Sequence, residues 1–406
     1  MKMKDSGIPW IGQIPEKWGK CFLKNSFNFE KGKNASLYTN EYLSDNKGEI
    51  PVYSGQTENN GIMGFVKDYD YFSTGCLFVT TVGAKAMTIK ILKGKFCLSQ
   101  NCLIMQEKKN ININFWFYAL QILFDYEKSV MCGIMQPSLR IEDLKKYAIF
   151  LPNKDTQQKI VEILDKNCGQ IDELVRIEEN EIEKLKEYKT SLITKVVTKG
   201  LDPNAKMKDS GIPWIGQIPE DWKVGRLKNF YLNRIEKYNG QNLNYFALEN
   251  IESWSGRFIE TENIYDKKES ILCYKNDCVF GKLRPYLAKA FLLPFDMCCS
   301  SEFAIFYSKI NNTKYLFYCF ISFGIIDVIN SSTYGTKMPR ANIEYILNLQ
   351  FAIPTVIEQQ QIVDYLDKRC EEIDNLIKIK QEKIEKLKEY KKSLIYQYVT
   401  GKKEIV

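Results

Sequence analysis

In two segments of the chain the residues at alternating intervals of four and three positions are mostly apolar, with polar residues between them. This spacing is typical of a coiled-coil seam. Roughly 40 residues of helix form a rod about 60 Å long at about 1.5 Å per residue. Its apolar stripe is too narrow for such a helix to fold alone. The predicted seam residues are Leu164, Cys168, Ile171, Val175, Glu178, Ile182, Leu185, Lys189, Leu192 and Val196 in the first helix, and Leu366, Cys370, Ile373, Ile377, Lys380, Ile384, Leu387, Lys391, Leu394 and Tyr398 in the second.

The two predicted helices are separated by enough chain for a globular domain. The chain leaves the first helix, builds that domain and returns to begin the second, so the helices can pair antiparallel within one molecule. This arrangement would put the two globular segments at opposite ends of the helical pair. The alternative is that each helix pairs with a helix of another chain.

The remaining segments alternate short apolar runs with turns such as Asn59-Asn60-Gly61. From about Cys21 to Leu151 the predicted strands are IPVY, IMGFV, CLFVTTV, AMTIKIL and CLIMQ, and a helix follows with Asn114 as its N-cap. Residues 224–352 repeat this order with YFALENI, CVFGKL, YLAKAFLL and EFAIFYS, and then a helix from about Thr313, TKYLFYCFISFGIIDVI. Each segment is therefore predicted to be a small α+β domain.

The chain also repeats itself. Met3–Trp18 returns as Met207–Trp222 with a single difference, and Ile182–Ile193 returns as Ile384–Ile395, while the intervening stretches show little similarity. Two near-identical frames that hold unlike inserts indicate one architecture used for two different binding tasks.

These patterns together predict an α+β protein with two globular domains joined by two long antiparallel coiled-coil helices, in a pseudo-two-fold internal repeat. The predicted domains are residues 1–152, the central helix 153–202, residues 203–354 and the C-terminal helix 355–406.

Composition narrows the class of protein. The chain has 406 residues, is 45% hydrophobic and carries a formal net charge of +7. The charge permits a polyanionic partner but suits an ordinary soluble protein equally well. No run approaches about 18 apolar residues, and the first residues lack the apolar core of a signal peptide, so we expect a cytoplasmic protein.

Several catalytic, metal-binding and cofactor-binding motifs are missing from the sequence, which narrows the function further. The chain has no histidine, which excludes Ser-His-Asp and Cys-His catalysis. The twelve cysteines form no C-x-x-C pair and lie mostly in apolar runs, so we expect buried thiols and no metal site. No Walker A loop, dinucleotide-binding glycine motif or Pro-Pro-aromatic motif of amino-methyltransferases is present. Composition leaves carboxylate-only metal chemistry open, yet the pattern favours a binding protein without a catalytic site.

Several sequence motifs occur in order along the chain, most of them in duplicate. They are Ile8-Pro9-Trp10-Ile11-Gly12 and Ile14-Pro15-Glu16-Lys17-Trp18, IPTVIEQQQIVDYL from Ile353, the Leu-x-Glu-Tyr-Lys-x-Ser-Leu-Ile end of each helix, GKLRPY from Gly281 and CSSEF from Cys299. The first copy has Thr156 where the second has Glu358. These motifs resemble those of one family, the specificity (S) subunits of type I restriction-modification systems, and the resemblance covers essentially the whole chain.

This resemblance implies that each globular domain is a target-recognition domain that reads one half of a split, asymmetric DNA sequence. It implies that the helices fix the gap between the halves, and that the subunit is not catalytic. The implied partners are double-stranded DNA, two modification subunits that bind S-adenosylmethionine and methylate adenine, and restriction subunits that use ATP and Mg to translocate and cut DNA.

DNA contact requires Arg or Lys at phosphates and Arg, Lys, Gln or Asn at base edges. Each nominated residue lies in or beside a predicted loop, and the alternative for each is a solvated charge or a turn residue. Arg284 is the preferred base reader because Gly281 and Pro285 frame it in a turn. The DNA-binding candidates are Tyr53, Gln56, Thr81, Lys85, Gln136 and Arg140 in the first domain, and Lys282, Arg284, Tyr286, Lys289, Lys337 and Arg340 in the second.

Two other classes remain as alternatives. One is a self-contained DNA-modifying enzyme, which would incorporate label from S-adenosylmethionine into DNA without a partner. The other is a coiled-coil scaffold that binds only proteins, which would show no salt-dependent affinity for random duplex DNA.

Overall fold

The computed structural model describes residues 2–56, 58–83, 85–131, 138–261, 269–333 and 338–404. The chain forms two compact units, the first being Met1–Ile177 with Lys383–Val406 and the second Glu178–Glu382. Each unit contains one globular domain and a part of each of two long helices. Among the described residues, none of the helices combines the length and apolar composition needed to cross a bilayer.

The first globular domain and the helix that follows it contain strands β1 to β10 and helices α1 to α5. The strands are β1 (Met3–Asp5), β2 (Gln13–Pro15), β3 (Gly19–Phe22), β4 (Phe27–Lys31), β5 (Lys47–Tyr53), β6 (Ile62–Val66), β7 (Tyr71–Thr80), β8 (Ile89–Leu98), β9 (Cys102–Glu107) and β10 (Ala148–Leu151). The helices are α1 (Leu23–Ser26), α2 (Asn40–Asp45), α3 (Ile113–Met131), α4 (Ile141–Lys146) and α5 (Lys154–Lys199).

A six-stranded sheet in the order β4-β9-β7-β8-β5-β6 forms the centre of the first domain. Only the β5–β8 contact within this sheet is parallel. Side chains alternate between the two faces of a strand, so Leu77 and Val79 of β7 pack in one core with Trp116 of α3, whereas Phe78 packs in another core on the opposite face.

The predicted strands of this domain are present, with β8 beginning three residues later than the pattern AMTIKIL suggested. The predicted N-cap of the helix was wrong. Helix α3 begins at Ile113, and Asn112 is the residue whose side chain accepts a hydrogen bond from Phe115 N, at 3.1 Å. Both asparagines satisfy the sequence preference for an N-cap, so the pattern alone could not separate them.

The second globular domain and its helix contain strands β11 to β21 and helices α6 to α9. The strands are β11 (Met207–Asp209), β12 (Gln217–Pro219), β13 (Lys223–Arg226), β14 (Leu232–Arg234), β15 (Tyr245–Phe246), β16 (Ile271–Cys273), β17 (Cys278–Gly281), β18 (Ala290–Leu292), β19 (Met297–Cys299), β20 (Phe303–Tyr307) and β21 (Gln350–Ile353). The helices are α6 (Thr313–Phe320), α7 (Phe323–Ser331), α8 (Ile343–Asn348) and α9 (Val356–Val399).

Two small sheets, β14-β20-β17-β18 and β15-β19-β16, form the second domain. The single helix predicted from Thr313 was wrong, because the segment breaks into α6 and α7 around Ser322. Phe323 N donates to Thr194 Oγ1 at 3.1 Å. A Cβ on Gly324 would lie 2.5 Å from the ring of Trp214, so the glycine allows the start of α7 to pack closely against that indole.

The sequence repeat is also a structural repeat. In the first unit β1 pairs with β2 and β3 with β10, and in the second unit β11 pairs with β12 and β13 with β21. Gly401, after α9, packs against Pro15 and Trp18, and Gly200, after α5, packs against Pro219 and Trp222. Both glycines have positive φ, 68° and 72°, the backbone conformation that commonly ends a helix.

The helix segments within each unit pair through ion pairs that the charged seam residues form across to the other helix. In the second unit Lys189 binds Asp374 at 2.7 Å and Lys380 binds Glu178 at 3.0 Å, so the paired segments run antiparallel. In the first unit Lys391 binds Asp172 at 2.6 Å. The predicted seam residues are all buried or half-buried in these segments. The α+β class with two long helices is confirmed.

Candidate nucleic-acid interface

Three chain segments meet at one end of β17 in the second domain. Lys282 N donates to Glu302 O at 2.8 Å, and Ala341 N donates to Lys282 O at 2.8 Å. Leu283 forms an isolated bridge with Arg340. These bonds bring Lys282, Glu302 and Arg340 together from separate segments, and we call this set the second-domain junction.

The first domain contains the same arrangement at the end of β7. Thr81 N donates to Asn101 O at 2.8 Å, and Leu139 N donates to Thr81 O at 2.8 Å. Val82 forms an isolated bridge with Ser138. Thr81, Asn101 and Ser138 thus occupy the positions of Lys282, Glu302 and Arg340, and we call them the first-domain junction.

The loops that leave the two junctions share two positive-φ positions and one closing hydrogen bond among their described residues. Gly83 and Arg284 both have positive φ, 90° and 50°, and four residues later Met87 and Ala288 do so again, 61° and 45°. A 2.9 Å backbone hydrogen bond closes each loop, from Ala86 N to Gly83 O and from Leu287 N to Arg284 O. The sequences TVGAKAMT and KLRPYLAK are unrelated, so one backbone frame carries two different sets of side chains.

The second-domain junction is charged. Arg340 Nη2 donates to Glu302 Oε1 at 2.6 Å, and the Arg340 side chain is 59% exposed. Glu302 Oε2 is buried and has no hydrogen-bond partner among the described residues. Burial lowers the pKa of Lys282, with Arg340 lowering it further and Glu302 raising it. Two cationic groups and one carboxylate therefore share this surface.

The first-domain junction is neutral and borders an open cavity of about 590 Å³. Arg140 and Lys31 lie on the wall of this cavity together with Asn101. Arg140 is exposed, and its backbone N donates to Asp143 Oδ2 at the start of α4. Arg140 and Lys31 therefore lie beside the first-domain junction, together with the acidic Glu142, whereas Lys282 and Arg340 are part of the second-domain junction.

Some nominated residues project from these loops into solvent. Lys85 follows the first-domain junction, and Arg284 and Tyr286 follow the second. All three are exposed, and within the described part of the chain the Arg284 side chain forms no hydrogen bond. These side chains are free to reach a ligand.

Other nominated residues have partners within their own domain. Tyr53 packs against Phe78 and Phe96 in a core cluster. Gln56 Nε2 donates to Ile62 O at 2.9 Å, and Lys289 Nζ donates to Leu248 O at 2.7 Å. Gln136 and Lys337 lie outside the described residues. The role of every nominated residue in DNA binding stays a prediction.

Sequence reasoning missed Asn101 and Glu302 as members of the junctions. Each stands immediately before a buried strand, β9 or β20. That position is a usable signal, but selection by residue type favours cations and amides over a carboxylate such as Glu302. Among the described residues, no group of His, Cys, Asp or Glu side chains is arranged to hold a metal ion.

Comparison with known proteins gives one family. The family model for the type I restriction modification DNA specificity domain matches residues 15–187 and again residues 219–389. The specificity subunit of the type I restriction enzyme MjaVIII of Methanocaldococcus jannaschii is 25% identical, over 96% of this chain and 94% of its own length. The EcoDI specificity subunit of Escherichia coli is 22% identical, over 87% of this chain and 81% of its own length.

A solved structure has a similar fold. It comes from work on the structural basis of complex assembly and conformational transition of the type I R-M system. The TM-score is 0.70 at 13% identity, and the match covers 96% of this chain and 99% of the solved one.

Proposed function

The chain belongs to the family of type I restriction-modification DNA specificity proteins, and from this premise we propose that each of its two globular domains reads one half of a bipartite, asymmetric DNA target. The chain itself is the non-catalytic specificity subunit. It would act in the cytoplasm on double-stranded DNA.

The observation that carries this proposal is the pair of junctions. Both are held by equivalent backbone hydrogen bonds, yet one carries the exposed Asn101 and Ser138 beside the buried Thr81, and the other carries Lys282, Glu302 and Arg340. Base edges in the major groove differ in their pattern of donors and acceptors, so different side chains on one frame suit different sequences.

The charges around the junctions support contact with a polyanion. Lys85 and Arg140 in the first domain, and Arg284 and Arg340 in the second, are exposed. In protein–DNA complexes such groups bind phosphates and orient the protein, while a few neighbouring side chains read the bases.

The long helices offer a repeated surface for partner proteins. Apolar side chains are exposed at equivalent positions of α5 and α9, and exposed apolar groups that recur in this way suit two copies of one partner. We propose that two modification subunits bind here and that restriction subunits join the assembly. S-adenosylmethionine, ATP and Mg would be bound by those partners. The exposed residues are Leu174, Ile177 and Tyr188 in α5, and Leu376, Ile379 and Tyr390 in α9.

Exchange of one domain tests the proposal. Leu23–Tyr147 would be replaced by the equivalent segment of a relative, which leaves the β3–β10 frame in place. Methylation mapping of DNA from cells that express the hybrid with its modification partner should show one half of the motif changed, and the other half and the gap retained.

This mapping and two further assays separate the other functions. A change in both halves would contradict the division of labour between the domains. Methylation by the purified chain without a partner would show that it is an enzyme. Affinity for random duplex DNA that does not fall as salt rises would favour a scaffold that binds only proteins.

A further inference from the structure

The pair formed by Arg340 and Glu302 combines an exposed cation with a carboxylate on a surface proposed to bind DNA. We propose that Glu302 is a positioning residue that sets specificity in the second half-site. It holds the Arg340 guanidinium so that the remaining N–H groups read the edge of a guanine. This inference rests on the proposed function of the second domain.

Both partners of the pair are anchored through their backbones. Glu302 O accepts from Lys282 N, and Glu302 N donates to Ser300 Oγ at 3.2 Å. Arg340 is bridged to Leu283, while Arg284 N donates to Pro339 O at 2.8 Å. The 2.6 Å contact between the two side chains therefore joins two fixed points, and the guanidinium has a defined orientation.

The contact with Glu302 uses only some of the N–H donors of the Arg340 guanidinium. Arginine has five N–H donors in a planar fork, and one nitrogen, Nη2, binds Glu302. The side chain is 59% exposed, so the other donors are accessible. A planar pair of donors matches O6 and N7 of guanine, and an arginine that is already oriented loses less conformational entropy when it binds.

A role in stability explains Glu302 less well. Its Oε2 is buried without a partner among the described residues, and a buried unpaired acceptor costs free energy. A carboxylate also repels phosphates, which disfavours it on a DNA-binding surface unless it orients a cation. The neutral first-domain junction lacks both partners, with Asn101 and Ser138 at these positions.

The test uses the full chain assembled with its modification subunits, after methylation mapping has given the target. Affinity is measured for the target and for duplexes with each base of the second half-site replaced. Arg340→Ala should lose about tenfold or more of its discrimination at one guanine, or about 1.4 kcal/mol. Glu302→Ala should lose discrimination at the same guanine, and Glu302→Gln, which keeps an acceptor, should lose less.

A second readout separates positioning from folding. Glu302→Ala should bind random duplex DNA as well as the parent chain or better, because one negative charge is removed, and its midpoint of thermal unfolding should not fall. A variant that carries both Glu302→Ala and Arg340→Ala should lose no more discrimination at this guanine than Arg340→Ala alone. Glu344→Gln, an exposed acid on α8 that does not contact Arg340, is the charge-matched control and should keep full discrimination.

Three results would overturn the inference. Glu302→Ala could keep full discrimination, or lose affinity equally for all sequences together with thermal stability. Arg340→Ala could weaken all sequences equally and reduce the salt slope by about one, as the loss of a phosphate contact does. A parent complex with no sequence preference in the second half-site would instead refute the proposed function.

Discussion

The Tyr118 hydroxyl donates a hydrogen bond to Asp165 Oδ1 at 2.7 Å and so joins α3 of the first domain to the beginning of α5. The second unit repeats this contact between α6 and α9, where Tyr318 donates to Asp367 Oδ1 at 2.6 Å. Burial, together with the neighbouring carboxylate, raises the pKa of both phenols. Each domain is thus fixed to its long helix through an equivalent hydrogen bond.

Removal of either hydroxyl should destabilise its unit. Tyr118→Phe and Tyr318→Phe should each lower the free energy of unfolding by about 1–2 kcal/mol, since each loses a hydrogen bond to a carboxylate. Chemical denaturation followed by tryptophan fluorescence measures this. Tyr390→Phe, on an exposed part of α9, should change nothing. Equal stability of all three variants would show that the bonds do not hold the domains to the helices.

The beginning of the second long helix should respond to pH. Trp222 Nε1 donates to both carboxylate oxygens of Glu358 at 3.1 Å. Burial raises the pKa of Glu358, which the Trp222 bond partly offsets. The folded state therefore binds a proton more readily than the unfolded state, and this group makes stability fall as pH rises from about 4.3, the usual pKa of Glu, through the raised pKa.

Glu358→Gln should remove that dependence. The variant should be more stable than the parent chain at neutral pH, and the difference should vanish below about pH 4, where Glu358 is protonated in both states. Unfolding by denaturant at several pH values measures the difference. Glu371→Gln, an exposed position on the same helix, is the control. A difference that grows as pH falls would contradict the sign.

Arg284 stands where the first domain has a glycine, in a left-handed conformation with φ 50° and ψ 62°. Such a conformation is unfavourable for a residue with a side chain, by about 1–2 kcal/mol. Arg284→Gly should therefore keep the stability of the fold. It should lose about 1–3 kcal/mol of discrimination at one base pair of the second half-site if the side chain reads a base. Arg284→Ala should show the same loss. Uniform weakening across sequences would identify a phosphate contact instead.

The long helices and the repeated frame were predictable because burial follows a simple period along the chain. Ile171 and Leu394 are apolar at seam positions and are buried in one core. The first residue of α3 was less predictable, because Asn112 and Asn114 are the same residue type and suit an N-cap equally well. The break around Ser322 lies beside a close contact between Gly324 and Trp214, which are distant in sequence.

The junctions could not be predicted, because their equivalence lies in backbone hydrogen bonds. The sequences TVGAKAMT and KLRPYLAK are unrelated, yet the backbones of Thr81 and Lys282 form equivalent hydrogen bonds in their own domains. Nomination by residue type favoured cations and amides in loops. It included Lys289, whose ammonium group binds a carbonyl oxygen, and omitted Glu302, which binds Arg340.

The paired helices should set the gap between the two half-sites. An insertion after Thr190 alone would separate Lys189, paired with Asp374, from Ile193, buried in the core of the second unit. Four residues inserted after Ile177 and four after Glu382 avoid this, since both helices lengthen by the same amount. At about 1.5 Å per residue the helices grow by about 6 Å, which corresponds to roughly two base pairs at about 3.4 Å each.

Methylation mapping should then show both half-sites unchanged and the gap larger by about one or two base pairs, with some loss of affinity because four residues are not a whole heptad. Insertion into one helix only is the control. It should impair assembly, because the two seams no longer match. If an active, correctly assembled double insertion kept the original gap, the distance between half-sites would be set by something other than these helices.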